Sequence, residues 1–97
     1  MVKLGISIRL EAKLGKENET AEFLKSALPL AIQEVGTINW YVIKYSPSTF
    51  GIFDTFETED ARHAHHTGRI AQALMAKASE LLAVPPVIEL TEILAAK

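Results

Sequence analysis

Three histidines, His63, His65 and His66, fall within four positions of one another, and the chain of 97 residues has no others. Imidazole is the side chain best suited to moving protons near neutral pH and is also a common metal ligand. The spacing speaks against a metal. On a helix only residues three or four apart share a face, which joins His63 to His66 and leaves His65 well round from both. A zinc site needs three or four ligands, cysteine is absent, and the pattern is not HExxH. We therefore expect no metal site. Helical phase instead sets Ala61, Ala64 and His65 on one side, with small residues at close-packed positions. That side should face inward and shield His65, leaving His63 and His66 in solvent. A shielded His65 fits a catalytic proton carrier, and, more ordinarily, a core-edge histidine bonded to a neighbour.

Asp54 is the second residue with chemistry in it. It lies in the apolar run Thr49 to Phe56 (TFGIFDTF), at the same parity as Phe50, Ile52 and Phe56. A carboxylate on an apolar side costs free energy unless it acquires a proton or a cationic partner. Arg9 is a candidate partner, in an ion pair that could be functional or structural. Trp40, Tyr41 and Phe53, together with Arg9, are the candidate substrate-binding residues, although aromatics at strand centres also serve as plain core. No Gly-rich phosphate loop, nucleophile elbow or Ser-Lys arrangement is present.

The elements that must position these residues follow from periodicity. Lys3 to Ala12 alternates, with Leu4, Ile6, Ile8, Leu10 and Ala12 on one side, and reads as a strand ended by Gly15. Glu17, Asn18 and Glu19 start a helix whose apolar residues are Leu24, Leu28, Ala31, Ile32 and Val35. Pro29 should kink or break it, and Gly36 is placed to end it in a left-handed conformation. Ile38 to Tyr45 and Thr49 to Phe56 are strands joined by the turn Ser46 to Ser48. Thr58 caps a helix through the histidines, Thr67-Gly68 interrupts it, and a further helix spans Arg69 to Ala83. Pro85-Pro86 precedes a last strand, Val87 to Leu94. The order β-α-β-β-α-β predicts a ferredoxin-like α+β fold, an antiparallel four-stranded sheet with its helices on one face.

Two helices cover one face of a sheet, yet the second face here is also apolar, with Tyr41, Ile43, Tyr45 and Phe53 on it. Such a patch predicts a homodimer packed sheet to sheet. The length implies one domain, residues 1–97, small enough to gain from a partner. A net charge of −2 with no basic stripe argues against nucleic acid. The third strand has a likeness to an RNA recognition motif, which fails where Ser48-Thr49 replace the basic-Gly pair and Ile52 and Thr55 replace aromatics. Charges interrupt every apolar run, so no membrane span or leader is expected, and with no cysteine a reducing cytoplasm is the expected location.

Over nearly its whole length the chain resembles the antibiotic biosynthesis monooxygenase family of small dimeric α+β barrels. The residues that carry the resemblance are Gly36-Thr37-Ile38-Asn39-Trp40 at the entry to the second strand, then Phe53-Asp54-Thr55-Phe56, Thr58-Glu59-Asp60-Ala61 and Ala64-His65, and finally Pro85-Pro86. The resemblance implies a homodimer with a pocket in each subunit between sheet and helices, taking a small hydrophobic or aromatic ligand. It implies a cofactor-independent monooxygenase acting on small aromatic or quinol-type substrates, with His65 handling protons, Trp40 as a pocket wall and Asp54 as an orienting acid. A non-catalytic dimeric barrel that binds a small hydrophobic ligand is the other reading. A haem-degrading branch shares the fold, but this chain has no Asn in its first strand and has Phe56 where that branch has Trp.

Overall fold

The computed structural model describes all 97 residues. In chain order the elements are β1 (Leu4–Glu11), α1 (Glu17–Lys25), α2 (Leu28–Gln33), β2 (Asn39–Lys44), β3 (Thr49–Phe56), α3 (Glu59–His66), α4 (Arg69–Leu81) and β4 (Val87–Glu92). They form the expected ferredoxin-like arrangement, a sheet of order β2-β3-β1-β4 in which every neighbouring pair is antiparallel. None of the helices is long and apolar enough to cross a membrane.

Register decides what each face displays. Leu4, Ile6, Ile8 and Leu10 of β1 stand opposite Phe56, Asp54, Ile52 and Phe50 of β3, and Trp40 and Val42 of β2 stand opposite Asp54 and Ile52. Side chains alternate along strands, so all of these point to the helix layer. There Leu10, Phe50 and Ile52 bury themselves against Leu24 of α1 and Leu74 and Leu81 of α4. Each such apolar side chain contributes about 1.5–3 kcal/mol of hydrophobic stabilisation. Residues of opposite parity form the other face, which no helix covers: Tyr41 is 53% exposed, Ile43 40% and Val87 53%.

The helical legs differ from expectation in ways that matter for the site. The leg carrying Pro29 breaks into two pieces, because the proline ring cannot follow the carbonyl of Lys25, and α2 restarts with Pro29 in its first turn. It then stops at Gln33. Glu34 is extended (φ −83°, ψ 104°), and Ile32 and Val35 are exposed, not packed inward as helical spacing suggested. Gly36 does not adopt a left-handed conformation either; the one residue with positive φ is Gly15, at 87°. What Gly36 supplies is room. A Cβ there would lie 2.8 Å from the Cβ of Ala61, so its backbone lies directly against α3. At the other end, α4 stops at Leu81 because Ala83 N–H donates to Glu11 O (2.8 Å) at the end of β1. Thr58 caps α3 as expected, its hydroxyl accepting from Ala61 N–H at 3.1 Å.

Gly36→Ala should therefore destabilise the protein by about 1–3 kcal/mol through overpacking against α3. In a double-mutant cycle with Ala61→Gly, measured by urea unfolding, the two changes should couple favourably. Simple additivity would show that Gly36 and Ala61 do not constrain each other.

Candidate active site

The close approach of the 34–37 segment to α3 brings a carboxylate to a histidine from across the chain. Glu34 Oε1 lies 2.5 Å from His65 Nδ1, and Thr37 Oγ1 donates to the same Glu34 oxygen at 2.8 Å, steadying it. On the far side of the ring, His65 Nε2 lies 3.0 Å from Asp54 Oδ2. That second contact is close but poorly aligned, an ion-pair contact more than a hydrogen bond, and Asp54 Oδ1 has no protein partner at all. Asp54 is 0% exposed and His65 6%. Phe56 holds the imidazole from one side, ring centroids 5.4 Å apart.

The result is a line of three titratable groups, Glu34–His65–Asp54. Burial alone pulls the His65 pKa down, and it is the largest single influence. The two flanking carboxylates together outweigh it, and the pKa is raised above the ordinary 6.5. When protonated, the ring is a buried cation set between two carboxyl groups, one on each nitrogen. The carboxylates lie on opposite nitrogens of one ring and do not converge on a point, and no group of three or more ligand side chains is placed to hold a metal ion.

His65 also lines a cavity of about 280 Å³ between sheet and helices, walled by Ile6, Ile8, Trp40, Ile52, Ile70 and Met75 among others. Nine of its eleven lining residues are hydrophobic, and the polar edge is His65 with the exposed His66. Asp54 stands in the sheet between Ile6 and Trp40, two wall residues, and so lies directly behind the wall. Trp40 Nε1 is buried there without an acceptor.

Of the residues singled out from the sequence, the structure brings together His65, Asp54 and Trp40. Tyr41, Phe53 and Arg9 lie on the other face of the sheet. Odd positions of β1 and β3 pair with one another, so Arg9 stands opposite Gly51 and cannot reach Asp54; its guanidinium sits 4.5 Å over the ring of Tyr45 instead. Within α3 the inward side is Arg62 and His65, and Ala64 is exposed. Arg62 Nη1 donates to Gly5 O at 3.2 Å and Thr91 O at 2.9 Å, tying α3 to β1 and β4. Sequence reasoning missed Glu34 and Arg62. The i, i+3 spacing of Glu59, Arg62 and His65 could have flagged Arg62; nothing local flags Glu34.

No protein-family profile and no curated protein matches the sequence. Among solved structures, the NE2512 protein of unknown function from Nitrosomonas europaea is 57% identical, with 100% of this chain and 94% of that chain covered and a TM-score of 0.97. This chain belongs to the NE2512 family. Its fold is that of the antibiotic biosynthesis monooxygenase-like proteins. A candidate antibiotic biosynthesis monooxygenase from Nitrosomonas europaea superposes with a TM-score of 0.84 at 15% identity, covering 95% of this chain and 99% of that one. Another from Bordetella bronchiseptica gives 0.77 at 15% identity, with 98% and 100% covered. At such identities the likeness speaks for the fold.

The carboxylate clamp predicts a pH signature for this family member. A raised folded-state pKa means His65 stabilises the fold fully below its unfolded pKa, and that contribution is lost as pH rises through the folded value. As pH rises from the unfolded value of about 6.5 through the raised folded value, the urea midpoint should fall more steeply for wild type than for His65→Gln. Parallel pH profiles would show that the clamp does not hold the proton.

Proposed function

We propose that the protein is a cofactor-independent oxygenase of small hydroxylated aromatic compounds of the quinol or anthrone type. The observation that carries this reading is the apolar cavity whose polar edge is a histidine clamped between two carboxylates. A volume of about 280 Å³ is at the low end of the range of about 300–1,000 Å³ for small-molecule sites, which favours a compact ring system. In such a site the substrate hydroxyl gives its proton to the Glu34–His65–Asp54 unit. The resulting anion, held in a dry cavity against Trp40, passes an electron to dioxygen. Radical and superoxide combine to a peroxide at the ring carbon, and loss of water leaves a carbonyl. One oxygen atom ends in the product and the other in water, and the substrate supplies every electron. The protein contributes orientation, exclusion of water and the proton acceptor. A haem reading is less favoured by this geometry, since both nitrogens of His65 face carboxylates and neither is free for iron.

We also assign the open sheet face, with Tyr41, Ile43, Tyr45 and Val87 exposed, to packing against a second copy. Two such sheets would cover each other's apolar patch and close the barrel.

Oxygen uptake with an anthrone or a dihydroxynaphthalene, without added metal or flavin, should exceed the uncatalysed rate and fall by about a hundredfold in His65→Ala. Equal turnover in that variant removes His65 from the chemistry. Ligand-induced stabilisation with no product identifies a binding protein instead. In sedimentation at micromolar concentration the wild type should be a dimer and Ile43→Lys a monomer. A monomeric wild type would overturn the sheet-to-sheet assembly.

A further inference from the structure

His65 is the one residue that lines both the apolar cavity and a second, outer groove of about 290 Å³ formed by Glu34, Val35, Gly36, Thr37, Ala61 and Ala64. Its two nitrogens are divided between them in the same sense. Nε2 faces Asp54, behind the cavity wall, and Nδ1 faces Glu34, whose side chain is 25% exposed at the groove. Thr37 donates to Glu34 Oε1 and stands 3.5 Å from Nδ1, so the carboxylate is held on the ring from a second direction.

We infer that Glu34 is the positioning residue through which this site exchanges protons with solvent: it fixes the ring of His65 and passes to the outer groove the proton that a phenolic ligand delivers from the inner cavity. This rests on the proton-accepting role given to the Glu34–His65–Asp54 unit above, but not on any reaction with oxygen. The transfer balances without a co-reactant. The ligand O–H bond breaks and its proton goes to Asp54 Oδ1, the oxygen with no protein partner, because the protonated ring has no lone pair at Nε2. The proton on Nδ1 then moves to Glu34 Oε1, which releases it to water in the groove. The groove thus gives the proton an exit on the opposite side of the ring from the ligand. Glu34 acts through His65 and does not touch the ligand.

The probe is 4-nitrophenol, whose ionised form is coloured, mixed rapidly with the protein in weakly buffered, mildly acidic solution alongside a pH indicator. Wild type should form bound nitrophenolate and release a proton to the bulk in step. In Glu34→Gln, binding should stay within about twofold while ionisation and release slow by about a hundredfold, and Glu34→Asp should recover part of the rate. Independently of any ligand, the Nδ1–H of His65, followed in a ¹⁵N-histidine spectrum, should exchange with water through Glu34 in wild type and exchange more slowly in Glu34→Gln. An unchanged ionisation rate together with an unchanged Nδ1–H exchange rate in Glu34→Gln overturns the inference, as does failure of wild type to ionise the probe. Absence of oxygen uptake with normal nitrophenol ionisation overturns only the oxygenase reading.

Discussion

Asp54 is the constraint around which the rest is arranged. A carboxylate with no solvent exposure, in the middle of the sheet between Ile6 and Trp40, cannot stay ionised without a cation at hand. The cation has to come from the helix layer, because parity points Asp54 there and the strand neighbours are apolar. His65 meets that need from α3, and in doing so becomes a buried charge of its own. One carboxylate on one nitrogen leaves the other nitrogen unsatisfied, and Glu34 fills that place. The chain needs the broken helix, the extended Glu34 and the side-chain-free Gly36 to bring it there. Each oddity in the segment from Pro29 to Gly36 thus has a consequence at the ring of His65.

The frame was legible because strands announce themselves by alternation. Ile6, Ile8 and Leu10 against Ser7, Arg9 and Glu11 state both the strand and its buried side, and the same parity placed Asp54 correctly on the helix side. His65 was also legible as the inward histidine of the three, although for an incomplete reason. Ala64 was expected to share the packed side and is exposed, while Arg62, a residue type that usually faces water, is buried by its bonds to the carbonyls of Gly5 and Thr91. The pairing of Arg9 with Asp54 failed on the same parity that had located Asp54, since an odd and an even position of paired strands cannot share a face in this register.

Glu34 was not legible, and the reason is physical. Its partner lies 31 residues away, and the contact exists only because the backbone between them abandons a helix that periodicity extends. Leu28, Ala31, Ile32 and Val35 repeat at helical spacing, so propensity argues for continuation. Past the helix end, α3 comes so close that Gly36 has no space for a side chain, and that is tertiary packing, which a local pattern does not contain. Gly36 looked like a helix stop chosen for its backbone freedom. It is a glycine chosen for its lack of a Cβ, and the sequence is the same for both.

The cavity beside His65 carries a thermodynamic implication. The cavity of about 280 Å³ is open on the side of the exposed His66, Met75 and Ile88, and its apolar walls leave surface that a bound apolar group would cover, at about 25 cal/mol per Å². Its wall residues Ile6 and Ile52 are already at ordinary core positions. Larger side chains at Ala71 or Ile88 could close the space without disturbing Asp54. A hole of this size is therefore better understood as an unmet contact than as loose packing. The group that meets it has to be mostly apolar, to suit the walls, and polar at one end, to suit the only charged edge the cavity has. A group of that kind, once bound, would displace water both from the walls and from beside His65.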